Sequence, residues 1–294
     1  MLRKNKNIFI IMIAVGFIIF FNCSCLAAIS VSEIINNMLK AYEKQMAGIS
    51  DYTVVQKPIG GIAAMAGETK IYYKKAKVGG EEIYKTRTET EVMGMSMVSV
   101  YDGKYNWTTN PMTGKVESEL AEGNPAQFWK NIEAAKTKYL GEEMIDGEKA
   151  YVLQIDNALQ VMGSQQAQAA TMQQEGSQEA SGKLWISSKT WMPLRMVMII
   201  KASSEEMAMN TTTTSDFKDY RQVGSMLHPF QLVMKTNTEI DTSGMSAEDR
   251  EDAEQTMQMM QSMMSGMGSF TIETVDIKIN TGLSDDLFDG TKLK

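Results

Sequence analysis

Cysteine and histidine are nearly missing from this chain of 294 residues, which holds two cysteines, Cys23 and Cys25, and one histidine, His228. No G-x-S-x-G, H-E-x-x-H, phosphate loop or G-x-G-x-x-G occurs, so the common signatures of nucleophilic, zinc and nucleotide chemistry are absent. A lone histidine before a proline reads as a strand-end or turn residue rather than a base. Adjacent acidic pairs (Glu81-Glu82, Glu142-Glu143, Glu205-Glu206, Asp285-Asp286) point to opposite faces in extended chain and read as solvated surface. A basic excess is lacking too, which argues against a nucleic-acid partner, because phosphate neutralisation needs a cationic face. The expectation is no enzyme, no cofactor and no metal.

Only one long apolar run occurs, Ile8 to Phe21, and at 14 residues it is shorter than a bilayer-spanning helix. Arg3, Lys4 and Lys6 precede it and the small-residue stretch NCSCLAA follows, which is the layout of a secretory signal peptide. Cleavage after Ala27 removes three of the 29 basic residues and none of the 36 acidic ones, leaving a net charge of −10. It removes both cysteines as well, so the exported chain has no disulfide and relies on a hydrophobic core. Lipidation at Cys23 or Cys25 is the rival reading, disfavoured by the residues just before each cysteine. A periplasmic location follows, with residues 1–27 as signal peptide and 28–294 as a single domain.

The exported part opens with a helix. Ser30 and Glu33 have capping-box spacing, Ile34, Ile35, Met38, Leu39, Tyr42 and Met46 form one stripe, and Gly48 supplies a stop. Short β-branched and aromatic stretches then alternate with turn dipeptides such as Asp102-Gly103 and Asp146-Gly147. Roughly ten antiparallel strands with few helices predict a mainly β fold, a curved sheet or half-open barrel with helices as plug or lid. Asn124 and Pro125 signal one further helix. Two segments break the pattern and read as insertions, a Gln-rich one at about 157–181 and a Met-rich helix at about 244–268.

Methionine is the excess, with 26 residues. Projected on a helix, Met257, Met259, Met260, Met263, Met264 and Met267 fall within an arc of roughly 160°, opposite glutamines and Ser262. Three readings stay open: gap-fillers in a core, the soft lining of a pocket, or thioether ligands for Cu(I). Apolar residues also occupy both faces of Val92–Val100, with Met93, Met95 and Met97 on one side, and of Met196–Ile200. A strand apolar on both faces needs cover on both, which is the physical case for a hydrophobic cavity. The expected lining is Met93, Met95, Met97, Met196, Met198, Met257, Met260 and Met264, with Trp107 and Trp185 as stacking residues.

The signal peptide, the capped helix, the series of strands and four segments among them, in an order that covers about residue 30 to 291, resemble the outer-membrane lipoprotein carrier (LolA-like) family. The four segments are VYDGKYNWTTNP at Val100–Pro111, the W-I-x-x-x-T-W-x-P-x-R pattern at Trp185–Arg195, the late hairpin DFKDYRQVGSMLHPFQL, and IKINTGLSDDLF. The resemblance implies an unclosed antiparallel barrel, apolar inside and partly lidded by helices. It implies a carrier that shelters lipoprotein acyl chains or other lipids in the periplasm, meeting inner- or outer-membrane lipoprotein transport components. The family's early-strand arginine would fall at Arg87 by position. Alternative readings are a periplasmic Cu(I)-binding Met-rich protein and a module that senses envelope lipids.

Overall fold

A computed structural model describes residues 29–60, 67–92, 94–121, 132, 137–156, 158, 177–203, 208–241 and 269–293, apart from the side chains of 92, 177, 178 and 240. Among the described residues one complete helix, α1 (Val31–Met46), precedes thirteen strands. They are β1 (Asp51–Ile59), β2 (Thr69–Val78), β3 (Glu81–Val92), β4 (Met95–Tyr101), β5 (Tyr105–Thr109), β6 (Val116–Leu120), β7 (Thr137–Ile145), β8 (Glu148–Ile155), β9 (Ser177–Ser187), β10 (Pro193–Ser203), β11 (Ala208–Val223), β12 (Met226–Asp241) and β13 (Ser269–Ile279). Two 3₁₀ turns, Asp285–Phe288 and Gly290–Lys292, end the described chain.

All thirteen strands form one antiparallel sheet, in the order β6-β5-β4-β3-β2-β1-β13-β12-β11-β10-β9-β8-β7. It is two up-and-down meanders, β1–β6 and β7–β13, joined where the first strand of one lies beside the last strand of the other. β6 and β7 are its free edges, so the sheet does not close. The expectation of a mainly β, half-open curved sheet holds, with thirteen strands rather than roughly ten. β6 (VESEL) is the strand whose charges hid it, because strand signals reward β-branched and aromatic residues.

The sheet is curved, with α1 lying against both β12 and β7, although four strands separate these two in the sheet. Laid flat, β12 and β7 would sit about 24 Å apart at about 4.8 Å per strand. At 16 residues and about 1.5 Å per residue α1 is about as long, so it reaches from one to the other. Register irregularities at Val55/Gln56, Tyr139/Gly141 and Pro193/Arg195 contribute to the curvature, since bulges bend a sheet.

Local chemistry sets the two ends apart. Tight turns join β2–β3, β4–β5, β7–β8, β9–β10 and β11–β12 at one end of the sheet, here the turn end. Asp146 (φ 49°) and Gly147 (φ 84°) both take positive φ, the signature of a two-residue hairpin turn whose twist matches its strands. At the far end the links 61–66, 157–176 (apart from Ala158), 204–207 and 242–268 lie outside the described residues. The expected helix after Asn124 (apart from Ile132) and the Met-rich insertion lie outside the described residues, as does most of the Gln-rich one, whose last residues, 177–181, are the start of β9. The stretch Val92–Val100 is not one strand: β3 stops at Val92 and β4 starts at Met95, with Gly94 at φ 77° between them.

Candidate functional site

Residues paired across an antiparallel ladder share a face, so the register assigns every strand position to one side of the sheet. The side holding α1 is the concave one. At its turn end α1 is packed tightly. Ile34 and Ile35 are 0% and 1% exposed, and Met46 and Ile49 cluster with Tyr52, Val54, Tyr84 and Met226. Tyr52 stacks on Tyr73 with ring centroids 4.3 Å apart, and the Tyr84 hydroxyl donates to the Ile49 carbonyl at 3.2 Å. Burial pushes the Tyr73 and Tyr84 hydroxyls up to about 12, with the Glu82 carboxylate adding to the effect at Tyr84. The helix end is tied down as well. Gln45 accepts from the Leu227 N–H through its side-chain oxygen, and its main-chain carbonyl accepts from Ser225 Oγ.

Toward the far end, the same face changes character. One row across the strands pairs Met196 with Ser215, Ser215 with Met234, and Met234 with Phe270. The next row pairs Phe217 with Leu232, Leu232 with Ile272, and Ile272 with Pro58. Of these eight residues only Ser215 is buried; the seven others are half-buried. Their neighbours Leu184, Leu153 and Ile155 are sealed, and Met198 is 7% exposed, its sulfur resting over Gly182, where a side chain would meet it at 3.0 Å. The lone histidine stands beside this wall. His228 pairs through Nε2 with Thr274 Oγ1 at 3.3 Å, its ring meets Phe230 edge-on, and burial lowers its pKa to about 4, so the imidazole is neutral.

The expected lining residues divide. Met196 and Met198 lie on the concave face of β10, and Met95 and Met97 on that of β4, with six strands between the two. Met93, Met257, Met260 and Met264 lie outside the described residues. Trp107 and Trp185 are on the opposite, convex face, and the expectation that they line the cavity is corrected. Trp107 pairs with Val100 and lies against the backbone of Gly290, where a Cβ would fall 2.0 Å from the ring. Its Nε1 donates to Asp102 Oδ2 at 2.7 Å. Trp185 packs with Ala150, Val152 and Leu194, and its Nε1 donates to Glu143 at 2.8 Å. Both indoles are spent on holding a second layer of apolar contacts outside the curl. Arg87 is also convex, paired with Glu89 at 2.6 Å and donating to the Leu287 carbonyl.

Sequence reasoning missed Phe217, Leu232, Met234, Phe270 and Ile272. The signal was the alternation in FQLVM, which sends Phe230, Leu232 and Met234 to one side, masked by Val233 on the other.

The motifs that carried the resemblance turn out to be turn chemistry. Asp102 Oδ1 accepts from the Lys104 and Tyr105 N–H groups, each at 2.8 Å, which fixes the β4–β5 turn and aims Trp107. Asn110 accepts from Met112 and Thr113 just after β5. Ser187 does the same for Lys189 and Thr190 at the β9–β10 turn, where Trp191 takes φ 60° and stacks on Tyr151. Arg195 closes on Asp216 at 2.5 Å. Among the described residues no group of three His, Cys, Asp or Glu side chains could hold a metal ion.

No family model matches the chain, and no curated protein does. Solved structures do. A DUF1329 family protein from Desulfovibrio piger aligns with a TM-score of 0.51 at 15% identity, covering 90% of this chain and 99% of its own. A domain from Vibrio parahaemolyticus named for outer membrane lipoprotein sorting gives 0.48 at 14%, covering 88% and 99%. The lipoprotein LppX of Mycobacterium tuberculosis gives 0.28 at 8%, covering 87% and 100%. At such identities likeness speaks for fold alone, and the fold is an open antiparallel sheet, as the four sequence segments implied.

Proposed function

We propose that the far end of the concave face binds the hydrocarbon chains of a lipid or lipoprotein, and that the protein works as a non-catalytic periplasmic carrier. One observation carries this reading: seven apolar side chains in two adjacent rows across β10–β13 and β1 remain half-buried beyond the packed turn end. At about 25 cal/mol per Å² of apolar surface, wetting such a wall is costly, and an acyl chain laid along it removes the cost. Unbranched methionine side chains adapt to chains of different shape, which suits Met196 and Met234 to the task. The likeness to a lipoprotein-sorting domain agrees in direction, and so does the signal-peptide layout of residues 1–27. Residues 28–294 are proposed to act as one domain, with membrane lipoprotein transport components as donor and acceptor.

Native mass spectrometry of the purified protein is the direct test. A retained acyl ligand adds a discrete mass, and Leu232→Glu is expected to remove it while leaving the fold intact. Protein that takes up no lipid from detergent solution would sink the carrier reading.

A further inference from the structure

The concave wall also limits what head group its ligand can carry. Resting on the lipid-binding reading, we infer that the preferred guest is an uncharged lipid bearing ester and hydroxyl groups, of the diacylglycerol class, rather than an anionic phospholipid.

The register carries the argument. From Tyr52 to the far end, the concave positions of β1–β5 are Tyr52, Val54, Gln56, Pro58, Thr69, Ile71, Tyr73 and their partners, without a single Asp, Glu, Lys or Arg. The same holds for the concave positions of β9, β10, β12 and β13, and for β11 from Met209 to Phe217. Charged residues on this face gather at the tight turns and on the edge strand β6, which presents Glu117 and Glu119. At the turns most of the cations already hold an acid: Lys75 meets Glu82 at 3.0 Å, Lys149 meets Glu142 at 2.6 Å, and Arg221 meets Asp219 at 2.5 Å. The long-stemmed cations of the central strands, Lys70, Arg87, Lys183, Arg195, Lys201 and Lys235, fall on the convex side. A phosphate brought onto the wall would lose its water with no cation on the described strand positions to replace it, which is strongly unfavourable.

Polar groups are nevertheless present, and they are hydroxyls. Beside the apolar rows, Thr213 pairs with Thr236 at 3.2 Å and Thr211 with Thr238 at 3.1 Å. Across the curl, Thr69 pairs with Thr90 at 2.9 Å and Ser99 with Thr108 at 3.4 Å. Two hydroxyls sharing one hydrogen bond leave one O–H and several lone pairs for a third partner. Such pairs can receive a glycerol hydroxyl or an ester carbonyl without any ionic partner. Thr213 and Thr236 are each two residues beyond Ser215 and Met234, so an acyl chain on the Met196–Phe270 row brings its polar end to them.

The test is a competition for the full exported chain between dioleoylglycerol and dioleoylphosphatidylglycerol in mixed micelles, read by native mass spectrometry. Dioleoylglycerol is expected to occupy the protein at least about tenfold more than the phospholipid. Equal occupancy, or a preference for the phospholipid, overturns the inference and leaves the carrier reading standing. Uptake of neither lipid overturns both. A second arm uses the near-isosteric Thr213→Val/Thr236→Val pair, checked for fold by circular dichroism. It is expected to lower dioleoylglycerol uptake several-fold while leaving uptake of squalene, a hydrocarbon with neither hydroxyl nor ester, unchanged. Wild-type dioleoylglycerol uptake by this variant overturns the part assigned to the hydroxyls.

Discussion

The turn end and the far end of one concave face use similar residues to opposite ends. Under α1, tyrosines, isoleucines and methionines interlock until Ile34, Ile35 and Val54 are at most 2% exposed. Fewer than ten residues along the same strands, Leu232, Met234, Phe270 and Ile272 stay half-buried. Hydrophobicity is therefore common to both regions and cannot by itself mark the site. What separates them is cover, which α1 supplies at the turn end through Met46 and the residues that cluster with it.

The sharpest break of this comparison is expected at the covered end. Ile35→Ala leaves a cavity in a region with no room to relax, and is expected to cost about 2–5 kcal/mol in denaturant unfolding. Leu232→Ala at the open end is expected to cost less than about half as much, because its surroundings are already loose. A cost at Leu232 equal to that at Ile35 would mean that the wall is sealed and the site misplaced.

The convex layer supplies the next test. Gly290→Ala drives a methyl group into the Trp107 ring, and overpacking of this kind is expected to cost about 1–3 kcal/mol. Tryptophan fluorescence should shift in this variant while lipid uptake per folded molecule stays unchanged. A parallel loss of uptake would show that the convex face takes part in binding.

Acid provides a third test, through His228. The unfolded imidazole takes its proton near 6.5 and the folded one only near 4, so the unfolded state binds more protons between those values. Stability is fully present above pH 6.5 and falls as the pH drops toward 4, by about 2 kcal/mol after allowance for partial exposure. His228→Gln is expected to remove that share of the acid sensitivity, measured as the difference in unfolding midpoints at pH 7 and pH 4. Equal midpoint shifts in both proteins would place the sensitivity elsewhere.

The smallest effect on stability is expected from Met234→Leu, within about 1 kcal/mol because volume is conserved. Its readout is breadth: uptake of acyl chains of different length should narrow as a flexible thioether gives way to a branched side chain.

Sequence reasoning reached the fold through patterns that act over a few residues. Asp146-Gly147 announced a hairpin because both positions need positive φ, and the Ile34-to-Met46 stripe announced a helix with one side to bury. The family segments were legible for the same reason, since Asp102, Asn110 and Ser187 hold turns through their own nearest neighbours. Trp107 shows where this stopped: its alternation in the strand was readable, but not which side of the sheet would curl inward. VMGMSMVSV was misread as one strand because Gly94, a single glycine, was too weak a turn signal beside so many apolar residues.

Length, charge, the scarcity of cysteine and histidine, the hairpin turns and the period of each strand were determined by the sequence alone, because each is a local property of the chain. Tertiary structure decided which face became concave, where α1 packed, and hence that Leu232 and Met234 rather than Trp107 and Trp185 stand on the open wall. Inside and outside of a curved sheet are set by bulges and by pairings as distant as Tyr52 with Ile279, and no stretch of neighbouring residues records them.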